Sequence, residues 1–293
     1  MKDLKTASIC VHTGAIKDKQ FGGVNSPIYT SSAYNYREGK VIYPRYYNTP
    51  NQQIISEKIA ALEHGEAGLV LSSGMAAIHA TMMAVLKSGD HIIFQADLYG
   101  GTYHFAVNEL DNANIAYTMV DAADVDNFAK AIRPNTKAIY LETPSNPLLK
   151  ITDIEAVASI AKANNLVTII DNTFASPINQ TPMDFGIDIV IHSGTKYLGG
   201  HSDICFGAVV ASSDWIAKIH QKSIIYGGSL NSSVCALIER SMKTLAIRVR
   251  EQTKNAQALA EFLDRLPMVD KVYYPGLSSH EGHELAKKLM HGF

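Results

Sequence analysis

Cysteine is scarce in this chain and its spacing is uninformative: Cys10, Cys205 and Cys235 are odd in number, far apart, and form no Cys-x-x-Cys pair. That excludes a disulfide framework and a thiolate metal or redox motif, leaving buried or incidental thiols of a reducing compartment. An excess of charge is missing too. The 26 Lys and Arg stand against 28 Asp and Glu, a net charge of −2, so nothing favours electrostatic capture of nucleic acid or of an anionic membrane. No apolar run approaches the roughly 18 residues that a membrane span needs. The opening Met1-Lys-Asp-Leu-Lys-Thr6 lacks the apolar core of a signal peptide, and a soluble cytoplasmic protein is expected. Internal repeats and low-complexity segments are absent, as are the Gly-x-Gly-x-x-Gly and Gly-Lys-Ser/Thr phosphate loops of nucleotide binders. What remains is a chain suited to a small-molecule partner.

The composition is that of an ordinary globular protein, 46% hydrophobic and 18% charged over 293 residues, long enough to bury a sizeable core. Short β-branched runs alternate with longer helical patterns. The strand candidates are Gly68–Leu71, His91–Phe94, Ile115–Thr118, Ala138–Leu141, Leu166–Ile170, Asp188–Ile191 and Gly207–Val210. Most are apolar throughout, as in a mostly parallel sheet covered by helices on both faces, so the fold class reads as α/β. Thr152-Asp-Ile-Glu155 has the form of a capping box, and Ile154, Val157 and Ala161 follow at helical spacing. Residues 1–50 differ: rich in Gly, Ser, Tyr and Pro with little periodicity, they read as an extended arm that something must tie down, plausibly another subunit. From Ser232 to Leu263 a long helical stretch carries Leu237, Ile238, Met242, Leu245 and Val249.

Chemistry gathers at the carboxyl ends of the strands, where open α/β sheets place ligands. The run Ile189-Val-Ile-His-Ser193-Gly-Thr195-Lys196-Tyr-Leu-Gly-Gly-His201 sets a lysine among small hydroxyl and glycine residues. Lys196 there could carry a Schiff base while Ser193, Thr195 and nearby amides hold a phosphate. In Leu71-Ser72-Ser73-Gly74-Met75-Ala76 a strand turns into an apolar helix, whose free first-turn amides favour a phosphate, although plain capping by Ser72 or Ser73 explains the serines equally well. Asp171 ends a strand; facing a pyridine nitrogen it would keep that nitrogen protonated, and otherwise it caps a turn. Tyr99, before Gly100 and Gly101, could lay its ring on a planar cofactor, or be an exposed turn residue. Asn146, in Glu142-Thr-Pro-Ser-Asn146-Pro147, could donate a hydrogen bond from a proline-stiffened turn, or simply belong to one. His192 and His201 flank the lysine without partners at metal spacing, so they are expected to be structural and no metal site is expected.

In combination these motifs identify the cofactor as pyridoxal 5'-phosphate. From about Thr6 to the last residue, the chain resembles the pyridoxal-phosphate enzymes of cysteine and methionine metabolism. That group contains the cystathionine γ-synthases, γ-lyases and β-lyases, the methionine γ-lyases and the O-acylhomoserine sulfhydrylases. The resemblance implies fold type I, the aspartate aminotransferase-like fold, with a seven-stranded, mostly parallel sheet. By the same resemblance residues 1–50 would be the arm reaching a neighbouring subunit's site, 51–242 the cofactor-binding large domain, and 243–293 the start of a C-terminal small domain. Lys196 would form the Schiff base. Ser73, Gly74, Met75, Ser193 and Thr195 would hold the phosphate, Asp171 the pyridinium nitrogen and Asn146 the ring hydroxyl. Tyr99 would stack on the ring and assist as acid or base, and Thr173 would complete the cofactor contacts. Tyr43-Pro-Arg45 matches the segment that reaches across a dimer to the neighbour's phosphate, which implies a homo-oligomer, a dimer or a tetramer of dimers. Lys196, Tyr99 and Asp171 would carry catalysis.

The implied activity is γ-replacement or γ/β-elimination on cysteine or homoserine derivatives, of cystathionine γ-synthase or γ-lyase type. Alternatives are an O-acylhomoserine sulfhydrylase, a methionine γ-lyase, or a protein that binds the cofactor but is catalytically idle. Gly101 stands where methionine γ-lyases carry Cys, which lowers that alternative. The arm reads Tyr43-Pro-Arg-Tyr-Tyr-Asn48-Thr-Pro50 where the family has Tyr-Ser-Arg and Asn-Pro-Thr. Relatives continue beyond Phe293 for roughly a hundred residues, most of a C-terminal domain. The chain is therefore expected to be C-terminally truncated, without the arginine that binds the substrate carboxylate.

Overall fold

The computed structural model describes residues 4–35, 37, 39 and 41–293. Seven strands form: β1 (Ala67–Leu71), β2 (His91–Gln95), β3 (Ala116–Val120), β4 (Thr136–Glu142), β5 (Val167–Asp171), β6 (Ile189–Ser193) and β7 (Gly207–Ala211). Each overlaps one of the apolar runs read from the sequence. They form one sheet in the order β1-β7-β6-β5-β4-β2-β3. The pairs β2–β3, β2–β4 and β4–β5 are parallel, and β1 pairs antiparallel with β7. Burial follows position. Every residue of β2 and β7 is buried, whereas β3, at one end of the order, is mostly half-buried or exposed.

The helices are α1 (Thr6–His12), α2 (Pro50–Leu62), α3 (Gly74–Val85), α4 (Gly100–Phe105), α5 (Asp126–Lys130), α6 (Ile154–Ala163), α7 (Ser176–Asn179), α8 (Ser213–Tyr226), α9 (Ser232–Met242), α10 (Leu245–Asp264) and α11 (His283–Leu289). Two compact units result, Met1–Ala84 with Ile191–Ala246, and Val85–Val190 with Ile247–Phe293.

In the first unit α2 is the organising element. Its entry is a capping interaction absent from the sequence reading: the Gln52 carboxamide oxygen accepts from the Thr49 amide and hydroxyl (3.1 and 2.9 Å), and its nitrogen donates to Pro44 O and Leu230 O. Asn51 accepts from the Tyr29 amide and donates to Pro27 O, and Ser26 donates to Glu239 of α9. The arm is thus fastened along this stretch by residues of its own chain. Lys58, fully buried, donates to Cys10 O (3.0 Å) at the end of α1, and burial pulls its ammonium down to about 8.

Two local expectations shift. The cap of α6 is Asp153, whose carboxylate accepts from the Ala156 amide at 3.0 Å, rather than Thr152, whose own amide is turned onto the Thr143 hydroxyl. The stretch from Ser232 to Leu263 is two helices. Apolar periodicity runs through the break, where the Thr244 hydroxyl donates to Ser241 O and ends α9.

The second unit is held across its sheet by His91. At the start of β2 its Nδ1 and Nε2 lie 2.8 and 2.9 Å from the hydroxyls of Thr136 on β4 and Thr118 on β3. The segment after α10 packs on the same unit: His291 N donates to Asn179 O, and Lys288 pairs with Glu155 at 2.6 Å.

Burial, with the Arg133 charge beside it, holds the His91 imidazolium down to about 4, from an ordinary 6.5. As pH falls through 6.5 the unfolded chain takes up a proton that the folded ring refuses until about 4, so stability present above this window is lost across it. His91→Gln cannot titrate. On denaturant unfolding at about pH 7 and about pH 4.5, the native protein should lose about 2 kcal/mol more than the variant.

Candidate active site

The lysine turn begins where β6 ends. Ile189, Val190, Ile191 and His192 are buried, and the chain emerges at half-buried Ser193. Three backbone bonds then curl it: Lys196 N to Ser193 O (3.1 Å), Gly199 N to Gly194 O (2.7 Å) and Gly200 N to Lys196 O (2.7 Å). Gly194 lies against the Phe206 ring so closely that a Cβ would enter it. Thr195 is tied on both sides to Phe206, its amide and hydroxyl donating to Phe206 O while the hydroxyl accepts from Phe206 N. The result presents Lys196 as an exposed amine on a pinned turn.

Beneath the turn, His192 Nε2 lies 2.6 Å from Glu63 Oε1, both side chains buried. Glu63 follows α2 and is 129 residues away, so sequence spacing could not reveal it. His201 Nδ1 meets Gly199 O at 2.8 Å and serves the turn itself.

Next to Ser193 stands the start of α3. Ser73 caps this helix, its hydroxyl accepting from the Ala76 amide at 3.1 Å while its carbonyl accepts from Ala77. The capping role and the cradle role of this serine are therefore compatible, because the amides of Gly74 and Met75 precede any intrahelical acceptor. A Cβ on Gly74 would lie 2.8 Å from Ser193 Cβ and 3.0 Å from its Oγ, and one on Gly207 would collide with the Ser73 carbonyl. Ser73, Gly74 and Ser193 are thus brought together in a close approach that only glycine allows.

In the second unit the strand ends bring Asp171 and Tyr99 to one further residue. Asp171 ends β5, only 6% exposed, and its Oδ1 accepts from the Thr173 amide at 3.0 Å. Opposite it in the parallel register stands Glu142, the last residue of β4. The sequence reading passed over Glu142. Its Oε2 accepts from the Tyr99 amide at 2.7 Å, and the Asn146 amide also bonds to its carboxyl. Burial foremost, and then the Asp171 carboxylate, push this carboxyl up to about 8, against the opposing pull of the two amides. Tyr99 and Asn146 are themselves exposed. An ion pair of Lys150 with Asp97, at 2.7 Å, joins their two turns on the outside.

Arg45 is found elsewhere in the first unit. Its guanidinium lies over the rings of Tyr43 and Tyr46, 5.6 and 5.2 Å from their centroids, and Nη1 donates to Ile224 O at 2.8 Å. Among the described residues no helix is long and apolar enough to cross a membrane.

Residues 7–293 match the family model of the Cys/Met metabolism PLP-dependent enzymes. The chain belongs to this family. It is 44% identical to a cystathionine beta-lyase of Lactococcus lactis subsp. cremoris, covering all of this chain and 77% of the relative. It is equally 44% identical to a cystathionine gamma-lyase of Bacillus subtilis, covering 99% and 77%. Among solved structures, metB from Corynebacterium glutamicum superposes with a TM-score of 0.96 at 39% identity, covering 100% of this chain and 77% of that one.

The family's cofactor is pyridoxal phosphate, and the residues present fit it. The close approach of the α3 start to Ser193, which glycine at position 74 permits, sets free first-turn amides beside the Ser193 hydroxyl, a donor set that suits a phosphate. The buried carboxylate at the end of β5 has the charge that a pyridinium nitrogen requires, and Lys196 supplies an accessible amine. Gly74→Ala should therefore weaken cofactor affinity by about tenfold or more, a loss of about 1.4 kcal/mol. Titrating cofactor-free protein with pyridoxal phosphate measures it; unchanged affinity would remove Gly74 from the cradle.

Proposed function

We propose that the protein catalyses γ-replacement or γ/β-elimination on cysteine or homoserine derivatives, as cystathionine γ-synthases and γ-lyases do. One observation carries this reading. In a chain of this family, an accessible lysine on a pinned Ser-Gly-Thr-Lys turn stands with the Ser193 hydroxyl and the free first-turn amides of α3.

Pyridoxal phosphate, when bound, supplies an electron sink that lets a Cα–H bond of an amino acid ionise. The chain's own groups do the rest. Ser193 and the amides of Gly74 and Met75 hold the phosphate, with Ser73 fixing the helix start; Thr195 joins them by turning its proton away from Phe206 O. Asp171 keeps the ring nitrogen protonated, with Thr173 beside it, and Asn146 touches the ring hydroxyl. Lys196 would tether the cofactor through its Nζ, and with that amine free it would take the Cα proton and move protons between Cα and Cβ while the leaving group departs from Cγ. Tyr99 lies on the ring and assists as acid or base. Tyr43 and Arg45 act on the phosphate of a second copy, in a homodimer or a tetramer of dimers. For that, Arg45 exchanges the Ile224 carbonyl for a stronger, charge-assisted bond.

Relatives named for β- and γ-cleavage are equally similar to the chain. Both kinds of reaction begin with loss of the Cα proton, which is the step served by Lys196 and Asp171. The later choice of bond rests on other groups, and Gly101, beside Tyr99, is the position where the chain departs from methionine γ-lyases.

Incubation with cystathionine, cysteine and O-acylhomoserines tests the reading, following oxo acid release and thioether formation. A protein that takes up the cofactor yet makes neither product would overturn it. Lys196→Ala should lower turnover at least about a thousandfold and abolish the cofactor's long-wavelength absorbance while folding is retained. Asp171→Ala should lower turnover by about a hundredfold or more with the cofactor still bound.

A further inference from the structure

Glu142 is a buried acid to which the proposed chemistry gives no task. It is 6% exposed, at the end of β4. Its backbone is fixed first: the Gln95 side chain, itself buried at the end of β2, accepts from Glu142 N at 2.9 Å and donates to Glu142 O at 2.5 Å. The same Gln95 nitrogen donates to Asp97 O at 2.7 Å, so one carboxamide binds both the strand end and the turn leading to Tyr99. From this fixed backbone the carboxyl reaches two further amides, those of Tyr99 and Asn146. Tyr99 is the residue before α4, and its own side chain does not cap that helix. The cap position is instead held from outside, by a carboxyl 43 residues away.

We propose that Glu142 is a positioning residue: its carboxyl, by binding the backbone amides of Tyr99 and Asn146, sets the two turns from which those side chains meet the cofactor. This rests on the cofactor roles proposed above for Tyr99 and Asn146. An acid–base role fits the geometry less well, because the carboxyl is occupied by main-chain donors and hardly accessible. A purely structural role is separable, because Glu142 acts through a residue whose own removal can be measured.

The test is a double-mutant cycle on the full chain, reading the dissociation constant for pyridoxal phosphate and the visible circular dichroism of the bound cofactor. Tyr99→Ala and Glu142→Ala should each weaken binding by about tenfold, with the double variant no more than about twofold worse than the poorer single variant. Glu142→Gln keeps an oxygen for the amides, and should bind within about threefold of the native protein with its dichroism retained. Losses that add in the double variant, or a Gln variant as impaired as the Ala variant, would overturn the proposal. So would a folded Glu142→Ala protein with native affinity and dichroism. Should Glu142→Ala not fold, Gln95→Leu, which frees the same backbone, takes its place in the cycle with the same criterion. Native affinity in Tyr99→Ala would instead overturn the stacking role of Tyr99, and leave the cofactor chemistry of Lys196 and Asp171 standing.

Discussion

Two carboxyl groups stand side by side at the ends of adjacent parallel strands, Glu142 on β4 and Asp171 on β5, both almost wholly buried. Much of the second unit is arranged around this pair. Two ionised carboxylates at neighbouring positions with little water would repel strongly, so one must give way. The sequence of surrounding groups decides which. Glu142 is the one pushed up to about 8, and it is compensated by main-chain amides from two turns rather than by a cation. Those amides belong to Tyr99 and Asn146. One buried carboxyl therefore links the end of β4 to the two turns that carry Tyr99 and Asn146.

In the first unit the corresponding constraint is steric. The Ser72–Met75 turn, the Ser193–Lys196 turn and the start of β7 approach one another through Gly74, Gly194 and Gly207, at each of which a Cβ would meet Ser193, Phe206 or Ser73. Close backbone approach without side chains concentrates amide dipoles and small hydroxyls in one place, a cheap way to make an anion site without spending positive charge. Near-neutral net charge is thus consistent with the phosphate site proposed above.

The strands were legible because a parallel strand covered on both faces must be apolar throughout, and seven such runs recur between helical patterns. The lysine turn was legible because its chemistry and its glycines are contiguous. Glu142 was not: in sequence it is one more residue before Thr-Pro, and its meaning depends on Tyr99, 43 positions back, and on a register with Asp171 that exists only in the sheet. The Glu63–His192 pair was hidden for the same reason, across 129 positions. The cap of α6 fell on Asp153 because a long-range bond from Thr152 to Thr143 outweighed the capping-box pattern, and the α9–α10 break was masked by apolar spacing that continues across it.

These features share one design. The atoms proposed to meet the cofactor, on Lys196, Tyr99 and Asn146, belong to exposed side chains, while the main chain of Lys196 is held within its own turn and the amides of Tyr99 and Asn146 by the buried Glu142 carboxyl. The buried His192–Glu63 pair ties the strand that leads into the lysine turn, and Gln95 fixes Glu142. Exposed side chains on loops are individually mobile, and catalysis loses heavily when a reacting group is displaced by about 1 Å. Anchoring the main chain from below confines each side chain to rotation about its own bonds, while leaving its end free to make and break contacts. That division suits the two roles proposed for Lys196, a tether for the cofactor and then a mobile base. The rigidity is supplied by carboxyl, imidazole and carboxamide groups that never need to touch the substrate.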